Sequence, residues 1–452
     1  MRRPSFAAIA AVVSLGLAAC TSSAGSIPPA GGIVPSVPPA RGTILSMARV
    51  GTITKADMTA GLAGQVITEL GGAPLCDVTL YAIKYQTIGI HGESADASEG
   101  FFVPNKGCKA PFPLVGYAQG TNVVKAQKIT APTKRNIEPT VVAAIYAAHG
   151  DAVAATDYLG LGYSSYPYQP YLVIDSEAAA VIDSMRASRT AAKMLHVSLS
   201  PAVLLTGHSQ GGQSAMATQR EIQASEPGEF HLIADAPSSG PYDLSQTLVD
   251  GVLHPGQNAP VLATYALTAY QHVYGNVYAQ STDAFKQPYA TGIDTLLPVL
   301  TYAQASDLLG KTLPLNLHAL MQPAFEKSFV GDPKSGGRID AALNDLLVDW
   351  TPAAPLALCG GSKDPQVEYK NSELAYAFFK KRGAAVTLTD VNPYMPSTVP
   401  KSEYHDAVLV LCLTLNRVAI LDPIHTLGIP RYLKGRGPSR ALDFQPSEIR
   451  ER

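Results

Sequence analysis

The chain has 452 residues, 46% hydrophobic and 15% charged, with a formal net charge of -2. That length can bury a large core and sets a prior of about two or three domains. A near-neutral balance with no basic block offers nothing to a phosphate backbone, so nucleic acid is excluded as a partner. The 38 Gly and 35 Pro are spread too widely to mark the whole chain as disordered.

Arg2 and Arg3 form a positive start, and Phe6 to Ala19 is an apolar stretch too short to span a membrane. It closes on Leu17-Ala18-Ala19-Cys20, which resembles the lipobox of bacterial lipoproteins. That resemblance implies that residues 1–19 are a signal peptide and that the Cys20 thiol carries a diacylglycerol. The protein would then be anchored to the cell envelope, at the outer membrane where the source has one. The Arg2-Arg3 pair weakly resembles a twin-arginine signal, and either route exports the protein. Residues 20–42 are rich in Pro, Gly, Ser and Ala, with Pro28-Pro29 and Pro38-Pro39, and read as an extended tether. With Cys20 set aside, Cys76, Cys108, Cys359 and Cys412 remain. In an oxidising compartment they permit two disulfides in any of about three pairings. The favoured pairs are Cys76–Cys108 and Cys359–Cys412, with buried free thiols as the alternative.

Folded sequence is expected from about residue 43. Leu80 to Ile90 and Gly100 to Val103 read as antiparallel strands around a polar turn at Glu93 to Ala97. From Phe112 the rhythm changes to short apolar runs alternating with helical stretches. Strands are expected at Phe112–Ala118, Ala152–Thr156, Ala202–Thr206, His231–Asp235, Pro355–Cys359 and Ala385–Thr389. Helices are expected at Val141–Ala148, Ser176–His196 (N-capped by Asp175 or Ser176), Gly211–Ala224 and Glu373–Arg382. Repeated units of this kind specify an α/β fold, a mostly parallel sheet flanked by helices. Roughly residues 243–350 carry helical pattern and turns without a strong strand signal and read as a helical cap insertion. They separate a body of residues 43–242 from its second part, 351–421, and residues 422–452 form a polar, basic tail expected to be loosely held. In the cap, Tyr270, Tyr274 and Tyr278 recur at helical spacing, either packing it onto the body or lining an acyl pocket.

Gly207-His208-Ser209-Gln210-Gly211 is a G-x-S-x-G pentapeptide between an apolar strand and a helix, the context of a nucleophile elbow. The serine of such a turn is strained, and flanking glycines relieve the crowding. The helix that follows aims its free N–H groups at the place where negative charge develops. A serine hydroxyl needs a base, and the base an orienting acid, in the chain order Ser, acid, His. Asp364 is the expected acid, after the strand ending at Cys359, with Asp390 its rival. His405 is the expected base, in a loop before a helix from Asp406, with His425 the late alternative. His208 is expected to turn its side chain away from the site, and His149 to be ordinary. Oxyanion donors are expected from the backbone of Gln210 and of Thr121, with Gln119 close behind Thr121. There is no H-E-x-x-H, no zinc-type cysteine spacing and no phosphate-cradling glycine signature, so neither metal nor cofactor is called for.

With these residues in hand, the chain resembles the secretory lipases of the lipase-A type, which are α/β-hydrolases. The resemblance rests on Asp157-Tyr158-Leu159-Gly160-Leu161-Gly162, on the elbow at Gly207 to Gly212, on Ser238-Ser239-Gly240-Pro241-Tyr242 and on Gly361 to Asp364. It extends from about residue 75 to 420. It implies a carboxylic-ester hydrolase, an esterase or lipase, acting on small-molecule or lipid esters beneath a helical cap. Many such relatives have His-Gly where this chain has Gln119-Gly120. A serine peptidase or an acyltransferase on the same fold, and a non-catalytic surface lipoprotein, are the competing readings. The peptidase lacks a propeller repeat, and a non-catalytic chain would have lost a member of the triad.

Overall fold

The computed structural model describes residues 39–133, 136–256 and 258–427. Cys20, the signal segment and most of the tether and tail lie outside these residues. Among the described residues nine strands form one sheet: β1 Ile44–Ile53, β2 Val78–Ile88, β3 Ser94–Pro104, β4 Phe112–Ala118, β5 Ala152–Tyr158, β6 Leu199–His208, β7 His231–Ser238, β8 Leu356–Gly360 and β9 Val386–Asp390. Their order is β1-β2-β3-β5-β4-β6-β7-β8-β9, antiparallel from β1 to β5 and parallel from β5 onward. This is the α/β-hydrolase architecture. β4 and β5 are buried at every position, as expected of strands covered on both faces.

Several expectations shift. The edge strand β1 and the helix Gly61–Gly71 were not foreseen. The antiparallel hairpin turns at residues 89–93, so Ala95 to Ala97 belong to β3 and not to the turn. The long helix runs Ile174–Met194, and neither Asp175 nor Ser176 caps it. Instead Glu177 reaches back to accept from the Leu172 N–H, and Asn344 accepts from that of Ile174. These bonds satisfy end groups that would otherwise be orphaned.

Between β7 and β8 the described chain is helical, from Leu244–Leu253 and Ala259–Tyr274 to Gly336–Leu343, with its own apolar core. Gly275 ends the second of these helices in a left-handed conformation, so Tyr278 lies beyond it and the three tyrosines form no single stripe. Tyr270 is fully buried against the body, its hydroxyl 3.5 Å from the Leu172 carbonyl, and Tyr274 accepts from Asn344. Packing accounts for both. Cys76 is bonded to Cys108 and Cys359 to Cys412. The first residues of the tail are not loose: Asp422–Leu427 is helical, Arg417 bonds Asp422, and His425 bonds the buried Asp151.

Candidate active site

Sheet register assembles the site. Ala118 at the end of β4 pairs with Gly207, His208 at the end of β6 pairs with Ser238, and Ser238 pairs with Cys359 of β8. The loops leaving β4, β6 and β8 therefore emerge side by side at the carboxyl edge, where open α/β sheets bind ligands.

Ser209 sits between β6 and the helix Gln210–Ser225 at φ 60°, ψ -122°, a strained conformation for a residue with a Cβ. Its N–H is held by the Ser238 carbonyl at 2.9 Å. The turn is possible only because its neighbours lack side chains. A Cβ on Gly207 would stand 2.3 Å from the Gly211 carbonyl oxygen, and one on Gly211 2.0 Å from that of Ala118.

Asp364, on the loop after β8, accepts from His405 Nδ1 through both carboxylate oxygens, at 2.8 and 3.0 Å. Burial would raise its carboxyl, but the bond to His405 and the Gln366 N–H hold it below the usual range. That favours the charged form. His405 lies one residue into the helix Tyr404–Ile420, and not in the loop expected before it. Its Nε2 is buried with no hydrogen-bond partner among the described residues, so no bond joins it to Ser209 in this state. Catalytic bonds of this kind often tighten only around substrate. Ser209, Asp364 and His405 are all buried. Asp390 instead accepts the backbone N–H groups of Ser362 and Asn392, fixing the loop that carries Asp364. His149 is buried, and burial pushes its imidazole down to about 3, away from any base role near neutrality. His208 does not turn away from the site. Its Nδ1 meets the Ser238 hydroxyl at 3.0 Å, and its ring centroid is 4.4 Å from that of His405. Burial, with His405 beside it, holds His208 well below its ordinary value and so neutral.

Hydrogen bonds pin the loop after β4. The Gly120 N–H donates to Glu138, the Gln119 carbonyl accepts from Tyr158, and the Thr121 hydroxyl meets that of Tyr171 at 2.8 Å. Among the described residues, neither the Thr121 nor the Gln210 N–H donates to a loop or cap carbonyl. Glu138, Tyr158 and Glu177 were missed in the sequence; only Tyr158, within the Asp-Tyr-x-Gly run, carried a signal. A cavity of about 430 Å³ opens beside His405. His405, Pro365, Gln366 and Lys401 lie on one side, and Leu248, Leu267, Met321 and Phe329 of the cap on the other. That volume and apolar lining are ordinary for a small-ligand site.

Neither a family model nor a curated protein matches the chain. Solved structures do. The rice cell wall degrading esterase LipA from Xanthomonas oryzae is 35% identical, with a TM-score of 0.76 over 85% of this chain and 99% of that one. The chain belongs to the lipase-type α/β-hydrolases. It is a carboxylic-ester hydrolase, as an esterase at that identity over nearly the whole neighbour indicates. A Legionella pneumophila protein assigned as a hydrolase shares 23% identity, with a TM-score of 0.71 over 83% and 97% of the two chains. Candida antarctica lipase A shares 14%, with a TM-score of 0.54 over 82% and 83%. These two share the fold.

Proposed function

We propose that this esterase works through a Ser209–His405–Asp364 triad and an acyl-enzyme. The observation that carries the reading is the Asp364 carboxylate bonded to His405 Nδ1, beside an elbow that holds Ser209 at positive φ. Asp364 fixes the imidazole with its proton on Nδ1, leaving Nε2 to take the hydroxyl proton as Ser209 Oγ attacks the ester carbonyl. The N–H groups of Gln210 and Thr121 receive the oxyanion. His405 then returns the proton to the departing alcohol, and water repeats the cycle on the acyl group. The apolar cavity against the cap suits an acyl chain or an apolar alcohol, and the likeness to LipA brings plant cell wall esters into consideration.

The test is a panel of p-nitrophenyl esters of rising chain length, wall-derived esters and peptides. Ester turnover that falls off once the chain outgrows the cavity is expected; peptide cleavage without ester turnover overturns the reading.

For location, the Leu17-Ala18-Ala19-Cys20 run supports a lipid-anchored, exported enzyme. Metabolic labelling with a fatty-acid analogue should tag the wild type and not Cys20→Ser. An untagged, soluble wild type contradicts anchoring.

A further inference from the structure

Below the elbow lies a carboxylic acid that the mechanism does not use. Glu177, in the first turn of the Ile174–Met194 helix, is fully buried beneath the first turn of the elbow helix. One of its oxygens accepts from Gln210 Nε2 at 2.6 Å and from the Leu172 N–H at 3.0 Å. The other meets the Ser214 hydroxyl at 2.5 Å. Ser214 in turn reaches the Gln210 carbonyl at 2.9 Å and the Tyr158 hydroxyl at 3.2 Å, and Tyr158 donates to the Gln119 carbonyl at 2.9 Å. One network thus ties both sides of the assigned oxyanion site, Gln210 and the loop after β4.

Counting hydrogens favours its neutral form. The four hydroxyl contacts are Glu177–Ser214, Ser214–Gln210, Ser214–Tyr158 and Tyr158–Gln119. Carbonyl oxygens only accept. An ionised Glu177 leaves only the Ser214 and Tyr158 hydrogens to serve all four contacts. A neutral Glu177 adds a third: it donates to Ser214, Ser214 is free to donate to Gln210, and Tyr158 donates to Gln119, so three of the four contacts carry a hydrogen instead of two. Burial agrees, raising Glu177 to about 7, while bonds from Ser214, Gln210 and Leu172 oppose it. Among the described residues, the titratable groups facing it are the hydroxyls of Tyr158, Tyr171, Tyr265 and Tyr270, from β5, the segment before its own helix, and the cap. Burial keeps all four phenols neutral, so none offsets a negative charge on Glu177.

We infer that Glu177, in its neutral form, is a positioning residue for ester hydrolysis: through Gln210 and Ser214 it holds the elbow helix so that the Gln210 N–H faces the developing oxyanion. This rests on the triad and oxyanion reading above. Ionisation removes a hydrogen from the network and sets a negative charge beneath the place where the oxyanion forms.

The test compares Glu177→Ala and Glu177→Gln with wild type, measuring kcat and KM from pH 6 to 9 beside melting temperature. Losing one oxyanion donor costs about 10²- to 10³-fold, so a displaced donor in Glu177→Ala should cost roughly 10- to 100-fold in kcat with little change in KM. Glutamine keeps the acceptor and donates to Ser214 as the neutral acid does. Wild-type kcat should fall above roughly pH 7, whereas Glu177→Gln should recover kcat to within about 3-fold and lose that fall. Should Glu177→Ala fail to fold, the pH profile of Glu177→Gln decides alone. An unaltered alkaline fall in Glu177→Gln, or an Ala variant with wild-type kcat, overturns the proposal. Ser209→Ala, run alongside, separates this failure from that of the triad: an active Ser209→Ala sinks both, an inactive one with an active Glu177→Ala sinks only this one.

Discussion

Removing the Cys359–Cys412 disulfide should damage both stability and catalysis. Cys359 is the last residue but one of β8, five residues before Asp364 (364 − 359), and Cys412 lies seven residues, or two helical turns, after His405 (412 − 405). The bond therefore staples the strand feeding the Asp364 loop to the helix that carries His405. Its sequence separation is 53, and loop-closure entropy puts the stabilisation at about 4 kcal/mol. With an unfolding entropy of about 2.1 cal/mol/K per residue, a body of roughly 400 residues should lose about 5 °C in melting temperature. A slackened Asp364–His405 pair should also lower kcat by roughly 10-fold, since misplacement by an ångström can cost more than that. The control is Cys76–Cys108, separation 32, which the same argument values at nearly 4 kcal/mol. Its sulfurs lie against the Ala147 and Ala148 carbonyls. Cys359→Ala/Cys412→Ala and Cys76→Ala/Cys108→Ala should be melted at one scan rate and assayed on one short ester below both transitions. Comparable destabilisation is expected, with kcat reduced in the first variant only. If both pairs cost the same in kcat, or the first costs nothing in stability, the staple argument is wrong.

Asp364→Asn keeps shape but removes the charge that stabilises the imidazolium, so kcat should fall by about 10³- to 10⁴-fold. Asp390→Asn should cost less than about 10-fold, because Asp390 holds loop N–H groups and not the base; the reverse ranking in a parallel assay would reassign the acid. Asp235 on β7 is fully buried, and burial pushes its carboxyl well above the usual range against the pull of the Ala236 N–H. Between the unfolded value near 4 and its folded value, the native state keeps a proton that the unfolded chain has lost. Stability therefore falls with rising pH in that window, by about 1.4 kcal/mol per unit. Asparagine does not titrate, so the melting temperature of Asp235→Asn relative to wild type should climb from pH 4 upward, and a flat difference refutes this.

Much of this was legible in the chain because local patterns carry it. An apolar strand, G-x-S-x-G and a helix leave little freedom for Ser209, and alternating strands and helices specify the sheet. The acid and base were placed by chain order and spacing, and the structure brings Asp364 and His405 together. The helix boundary at His405 was misplaced by two residues, an ordinary error where a helix has no capping side chain. β1 was missed because this edge strand, exposed along most of its length, has no clear alternation. The supporting acids were invisible for a different reason. Glu138 and Glu177 gain their roles from partners far along the chain, Gly120 and Tyr117 for one and Gln210 and Ser214 for the other. A lone glutamate at a helix start reads as solvent-facing until the fold buries it. His208 was misjudged because neighbouring residues on a turn were assumed to diverge, whereas β6 aims it at the base helix.

The claim on which the rest depends is that Ser209 is the nucleophile. The most direct measurement treats the folded enzyme with a fluorophosphonate, digests it, and locates the adduct by mass spectrometry while following hydrolysis of a short ester. One adduct per chain, on Ser209, appearing in step with loss of activity is the predicted result. An adduct on another serine that tracks the inactivation, or full activity in Ser209→Ala, would contradict it.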